Sequence, residues 1–171
     1  KITGGNIPKE YIPSVEKGFK TMMEEGPLCG FPLLDFKLTL TDGGFHAVDS
    51  SQMAFETAAR AAFRQSMPKA GPQLLEPIMS IEITTPEEFM GPCNSTIAQR
   101  RGRIESMDER GGMKIVKGMV PLSEMFGYSN TIRSLTQGRA SFSMHFEHYE
   151  AVPFSIAEEV VKKRRDEGKI K

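Results

Sequence analysis

Three residue types that hydrolases use lie close together in the segment DGGFHAVDSS, residues 42–51. His46 could act as a base, Asp49 as the carboxylate that orients it, and Ser50 as the nucleophile. Triads, however, are assembled in space from distant segments rather than within one loop. Asp49 and Ser50 also suit the start of a following helix, where their side chains would accept backbone amides. The residues alone therefore favour an exposed loop over a hydrolytic site, and they name no partner for His46.

Other familiar reaction motifs do not occur in the sequence. It contains no G-x-x-x-x-G-K-[ST], G-x-G-x-x-G, G-x-S-x-G or H-E-x-x-H string, so phosphate-loop, dinucleotide, serine-hydrolase and zinc-protease chemistry lose their usual support. His145 and His148 lie three apart on a predicted strand, which would place them on opposite faces and argues against a shared metal ion. Cys29 and Cys93 have no metal-ligand spacing and are expected to be free thiols.

Basic residues cluster in two places although Lys plus Arg and Asp plus Glu both number 22, for a net charge of zero. One cluster contains Arg100, Arg101 and Arg103, and the other spans residues 162–165. Each could contact phosphate, and each could be a solvated helix end that complements the helix dipole. The second alternative is favoured for residues 162–165, whereas for the first cluster a contact with the phosphates of an RNA stays open.

The first half of the chain contains the elements that must position the loop. Apolar residues at steps of three and four, including Tyr11 and Phe19, predict a helix over residues 9–26. Alternation over residues 34–41 predicts a half-buried strand before the loop. An Ala-rich helix is expected to begin at Asp49, with Gln52 completing a capping box. Two prolines and a glycine in residues 68–73 mark the best candidate linker.

The second half has the order β-α-β-β-α-β. The predicted elements are a strand (74–85), a helix (85–102), a hairpin of two strands (103–109 and 113–121), a helix (122–138) and a strand (139–149). Thr85 would cap the first helix, with Glu88 closing a capping box. This order is that of the ferredoxin-like split unit. An amphipathic helix from about Ser155 ends the chain.

Six strings, taken in order, resemble the carboxy-terminal part of bacterial translation elongation factor G. They are GGNIPKEYIPSVEKGF, GPLCGFP, FHAVDSSQMAF, LLEPIMSIEITTPEEFMG, RRGRIESMD and VPLSEMFGYSNTIRSLTQGRASFSMHFEHYEAVP. They run through nearly the whole chain, and the last is long enough to be specific by itself. The resemblance implies an α+β fold of two two-layer α/β domains. The first would be a partial ribosomal protein S5 domain 2-like unit, and the second would be ferredoxin-like.

The resemblance also implies a division of the chain. Residues 1–70 would be part of the family's fourth, or tip, domain, and residues 71–150 its fifth domain. Residues 151–171 would form a helix and tail that pack back on the first domain. Strands that open the family's fourth domain, and its GTPase domain, have no counterpart in this sequence. GTP and Mg²⁺ would then bind outside it, and the chain would carry no catalytic residue, metal or cofactor of its own.

The function that the resemblance implies is ribosomal translocation of tRNA and mRNA. In the family, a loop matching residues 42–51 reaches the decoding site. Carried over by position, His46 would be the contact residue, and Gly43, Gly44, Phe45 and Asp49 would shape its loop. Arg100, Arg101 and Arg133 are weaker candidates for contacts with large-subunit RNA and proteins. The expected protein is a cytoplasmic monomer with no membrane segment.

The sequence departs from the family pattern at Gly91-Pro92-Cys93. Pro92 falls inside a predicted helix, where it removes an amide donor and favours a kink or a later helix start. The departure leaves open a specialised paralogue, such as a recycling factor or a ribosomal protection protein. A small hydrolase that uses His46 with Asp49 is the remote alternative.

Overall fold

The computed structural model describes residues 6–170, which divide into two compact units. The first unit contains the chain up to Leu74 together with the residues from Pro153, and the second unit runs from Leu75 to Val152. Together they form a mixed α/β structure. No helix among the described residues is long and apolar enough to cross a membrane.

The first unit is built on two packed helices. Its elements are a 3-10 turn at Lys9–Tyr11, α1 at Ile12–Met23, α2 at Gln52–Ser66, a 3-10 turn at Met67–Ala70 and, after the second unit, α5 at Phe154–Asp166. Val15, Phe19, Ala59, Phe63 and Met67 form the buried core between α1 and α2. The apolar stripe of residues 9–26 therefore does produce a helix, although Tyr11 lies just before it.

Close approach of α1 to α2 depends on Gly18. A Cβ atom at this position would lie 2.5 Å from the backbone oxygen of Glu56 and 2.9 Å from the Cβ of Ala59. Both distances are shorter than van der Waals contact, so α2 fits only against a residue without a side chain. Beside this contact, the ammonium group of Lys17 lies 2.8 Å from the carboxylate of Glu56.

The strand predicted over residues 34–41 is wrong. Among the described residues of the first unit this segment pairs with no neighbour, and a strand exists only through hydrogen bonds to one. Asp35 also has a left-handed backbone, with φ at 51°, which breaks the extended run. Leu34, Leu38 and Leu40 remain 39–47% exposed, and Phe36 alone of the alternating set packs against the core.

The capping residues predicted for α2 and α3 are also wrong. Asp49 does not cap α2, because Ser51 does so by accepting the amide of Ala54 at 3.1 Å. Thr85 does not cap α3, because it ends β1 facing the core, where it is fully buried and its hydroxyl contacts Cys93. Pro86 occupies the cap position of α3 without a side-chain hydrogen bond.

The second unit is a four-stranded antiparallel sheet covered by two helices. Its elements are β1 at Leu75–Thr85, α3 at Glu87–Gln99, β2 at Arg103–Arg110, β3 at Met113–Pro121, a 3-10 turn at Leu122–Glu124, α4 at Tyr128–Leu135 and β4 at Ser141–Ala151. The strand order β2-β3-β1-β4 and the element order together are ferredoxin-like, as predicted. Gly111 and Gly112 form the hairpin turn with positive φ at both positions.

Local backbone chemistry explains why α3 is continuous and why α4 is short. α3 starts at Glu87 and continues through Pro92 as one helix. Because Pro92 lies in the second turn, only the carbonyl of Glu88 loses an intrahelical amide donor, and the helix tolerates the loss. The helix predicted over 122–138 is shorter than expected, because Gly127 adopts a left-handed backbone with φ at 76° and α4 begins only at Tyr128.

Candidate RNA-contact loop

The segment between residue 42 and the start of α2 is a compact loop closed on itself. The amide of His46 donates to the hydroxyl oxygen of Ser50 at 2.8 Å, and the amide of Ser50 donates to the carbonyl of His46 at 3.1 Å. Ser51 then caps α2. The two bonds across the loop and the cap fix the backbone on the carboxyl side of His46.

The imidazole of His46 lies at the surface beside Asp49. Nδ1 of His46 is 3.4 Å from a carboxylate oxygen of Asp49, and the two side chains are 67% and 84% exposed. Water screens such a pair, so it biases the orientation of the ring without burying it. With Nδ1 facing Asp49, Nε2 is the ring nitrogen left toward an external partner, since no described residue bonds it.

The loop does not assemble a hydrolytic triad. His46 and Asp49 are neighbours, as the base and its orienting carboxylate would be. The hydroxyl of Ser50, however, accepts the backbone amide of His46, and within residues 6–170 it makes no hydrogen bond with the imidazole. A serine nucleophile requires that bond to its base. The hydroxyl therefore closes the loop, and the hydrolase alternative lacks its central contact.

The entry to the loop is held by residues 6–11, which the sequence reasoning did not connect with it. The side-chain amide of Asn6 donates to a carboxylate oxygen of Asp42 at 2.9 Å, and the amide of Gly43 donates to the same oxygen at 2.8 Å. The hydrogen bond from Asn6 and, to a smaller extent, the one from Gly43 lower the pKa of Asp42. Tyr11 stacks on Phe45, with ring centroids 5.9 Å apart. The apolar stripe over residues 9–26 assigns Tyr11 to a helix, and no sequence pattern links it to the loop.

Gly43 and Gly44 differ in their surroundings. A Cβ at Gly43 would lie 2.5 Å from the Cδ1 atom of Ile7, whereas a Cβ at Gly44 would meet nothing within 4 Å. Neither residue has the positive φ that favours glycine over other residues. Gly43 thus allows the loop to lie close to Ile7, and the structure gives no steric reason for Gly44.

The exposed surface of the loop carries apolar, aromatic and acidic side chains but no basic ones. Phe45 is 46% exposed, Val48 is 83% exposed and Met53, in the first turn of α2, is 75% exposed. Residues 42–51 include no Lys or Arg. Such a surface can stack on the bases of RNA, and its imidazole can form hydrogen bonds with them. It has no cation that would attract the phosphate backbone.

Arg100 and Arg101 are both engaged within the second unit. Arg101 makes a bidentate ion pair with Glu76 at 2.7 and 2.8 Å and a further one with Glu124 at 2.9 Å, and these carboxylates raise its pKa. Arg100 donates to the carbonyl of Glu124 and to the hydroxyl of Thr131, and it lies over the ring of Tyr128. Both side chains bind the end of α3 to the segment around the start of α4.

Arg133 is arranged differently from these two arginines. It is exposed on α4, and within residues 6–170 it forms no ion pair. Of the three arginines predicted as ribosome contacts, Arg133 is thus the one whose guanidinium is available to an external phosphate.

His145 and His148 lie on the same face of the sheet, which corrects the prediction from their spacing. A β-bulge shifts the register of β4, so that His145 pairs with Ser80 and His148 with Ile78, two residues apart on β1. His148 bonds a carboxylate oxygen of Glu150 at 2.7 Å. Within the described residues no group of three or more His, Cys, Asp or Glu side chains could hold a metal ion.

Two family models match the chain, one for each half. The model of elongation factor G, domain IV, matches residues 1–71, and the model of the elongation factor G C-terminus matches residues 73–160. The elongation factors G of two strains of Cereibacter sphaeroides, KD131 and ATCC 17023, are each 55% identical over 163 residues. The matched region covers 95% of this chain and 23% of each relative. The chain therefore spans about a quarter of the length of these relatives.

A solved structure gives the same result at the level of the fold. A crystal structure of a protein from Thermus thermophilus superimposes with a TM-score of 0.89 at 39% identity, covering 97% of this chain and 25% of that one. Fold and matches together define the carboxy-terminal portion of a translation elongation factor. The chain belongs to the elongation factor G family.

Proposed function

We propose that this chain promotes the movement of tRNA and mRNA through the ribosome by placing the loop of residues 42–51 in the decoding site. The observation that carries the proposal is the exposed imidazole of His46 on a loop whose backbone is closed by Ser50. A contact of this kind needs no nucleophile or metal. It needs only a group that binds one ribosomal state more tightly than another.

The rest of the proposed machinery is divided between the chain and its surroundings. GTP and Mg²⁺ would bind outside these residues, so the chain would take part in the cycle as a binding element with no cofactor of its own. Arg133 is the candidate for a contact with large-subunit RNA, whereas Arg100 and Arg101 would support the fold. The factor would act in the cytoplasm, as a monomer on the ribosome.

The test is the substitution His46→Ala in a full-length protein that contains this chain. Pre-steady-state mRNA movement is expected to slow by about tenfold or more, because a positioned contact made only in the moving state is removed. Ribosome-stimulated GTP hydrolysis should remain nearly unchanged. His145→Ala is the matched control, since His145 is also exposed but lies in the second unit.

Two results would contradict the proposal. Equal loss of translocation and GTP hydrolysis in His46→Ala would mean that the residue supports folding or ribosome binding in general. Unchanged translocation would remove the loop from the mechanism. A ribosome-splitting assay on the same protein distinguishes a recycling paralogue, which would separate subunits but move mRNA slowly.

A further inference from the structure

The loop of residues 42–51 is docked along one short segment of the first unit, residues 6–11. Three contacts join them in register: Asn6 bonds Asp42, Ile7 packs on Gly43, and Tyr11 stacks on Phe45. These contacts hold the backbone on the amino-terminal side of His46, and the hydrogen bonds with Ser50 hold it on the carboxy-terminal side. The direction of the imidazole therefore depends on both attachments.

The stacking contact is the one that connects the loop to the helical core. The ring of Tyr11 lies 5.9 Å from that of Phe45 at an interplanar angle of 29°, and 4.6 Å from that of Phe55 at 13°. Phe55 belongs to α2 and packs against the core of the unit. Both separations fall within the range of favourable aromatic pairs. Tyr11 thus transmits the position of α2 to the residue that precedes His46.

The other two contacts are weaker attachments. The Asn6–Asp42 hydrogen bond is exposed, so water competes for both partners. The contact on Gly43 uses the far end of the Ile7 side chain, which can rotate away. By contrast, the stack on Phe45 is made by Tyr11, which is partly buried and is held in turn by the partly buried ring of Phe55.

We propose that Tyr11 is a positioning residue for the loop and acts on translocation through His46, by way of its stack on Phe45 and Phe55. This inference rests on the proposed function of the loop. Tyr11 itself touches no RNA in this mechanism. Its ring keeps the imidazole in the orientation that the decoding site meets, so that the binding energy of the contact is not spent on ordering the loop.

The experiment compares Tyr11→Leu and Tyr11→Phe in a full-length protein that contains this chain. Tyr11→Leu removes the stack and is expected to slow translocation by about two- to tenfold. Tyr11→Phe keeps the ring and should restore the rate. Phe36→Leu is the matched control, because Phe36 also pairs with two aromatic rings of the first unit but lies outside the loop contacts.

A double-mutant cycle with His46→Ala separates positioning from general stabilisation. If Tyr11 acts through His46, the double mutant should be no slower than His46→Ala alone. Hydrogen exchange gives a second readout: the amides of His46 and Ser50 should exchange faster in Tyr11→Leu, while the amides of α1 and α2 keep their protection.

Each outcome decides one of the two claims. Additive slowing in the double mutant, or the same slowing in Phe36→Leu as in Tyr11→Leu, would overturn the positioning role. Unchanged exchange at His46 and Ser50 in Tyr11→Leu would do the same. If His46→Ala leaves translocation unchanged, the proposed function fails, and the exchange measurement still tests whether Tyr11 holds the loop.

Discussion

The packing of α1 against α2 gives a sharp prediction at Gly18, because two effects of opposite sign compete there. Replacing glycine with alanine inside a helix usually stabilises a protein by about 0.5–1 kcal/mol, since it lowers the conformational entropy of the unfolded chain. At Gly18 the new methyl group would lie 2.5 Å from the backbone oxygen of Glu56, where ordinary contact begins at 3.4 Å. The steric effect therefore opposes the gain in helix propensity.

The steric effect is expected to win. Relieving the contact needs a shift of up to roughly 0.9 Å, the difference between 3.4 and 2.5 Å, and the atom in the way belongs to the backbone of α2 and cannot rotate aside. Overpacking of this kind costs about 1–3 kcal/mol, and the upper part of that range applies to a backbone clash. After subtracting about 1 kcal/mol of propensity, we expect Gly18→Ala to lower the unfolding free energy by about 2 kcal/mol.

Native-state hydrogen exchange is the appropriate assay, because the chain forms two compact units and a single denaturation midpoint would not report on the first unit alone. Protection of α1 and α2 should fall in Gly18→Ala, while protection of the sheet should not change. Thr57→Ala is the control, since Thr57 also lies inside a helix of the first unit but is exposed, so that the change acts through helix propensity alone. It should gain roughly 0.5 kcal/mol. Equal stabilisation by both substitutions would refute the packing argument.

Two predictions concern the ion pairs of the second unit. Arg101→Ala should lower its unfolding free energy by about 2 kcal/mol, less than the roughly 3–5 kcal/mol of a fully buried pair because Arg101 is 26% exposed, and a loss below about 0.5 kcal/mol would contradict the role given to Glu76. The hydrogen bond from His148 and the charge of Arg103 lower the pKa of Glu150 below 4.5. A carboxyl with a lowered folded-state pKa adds stability that is present above pH 4.5 and lost as the pH falls through the folded pKa. Denaturation between roughly pH 5 and pH 2 should therefore show a shallower acid loss in Glu150→Gln, and an identical slope would reject the pairing.

The elements of the second unit could be predicted from the sequence because each satisfies its hydrogen bonds with partners inside the same roughly 80 residues. Alternation in 74–85 matches the face of β1 that meets α3 and α4, where Ile81 and Ile83 are almost fully buried. The two glycines of the hairpin turn admit a backbone that few other residues adopt. Local pattern and tertiary environment agree here.

Prediction failed where a local pattern had more than one use. The alternation of residues 34–41 is that of a strand, but no neighbour among the described residues pairs with it. Thr85 and Asp49 have the chemistry of helix caps, yet Thr85 is buried at a strand end and Ser51 is the residue placed to accept an amide. His145 and His148 share one face of the sheet, against the prediction from their spacing, because one extra residue in β4 shifts the register.

The sequence by itself determined the family, the ferredoxin-like order of the second unit and the existence of an exposed loop before α2, since these follow from motifs and from periodicity along the chain. Only the tertiary structure decided what the loop residues do. Ser50 closes the loop, Asp49 faces His46, and Tyr11 reaches Phe45 from a distant part of the sequence. The contact of Tyr11 joins segments that no local pattern connects, and it exists only after α1 and α2 have packed.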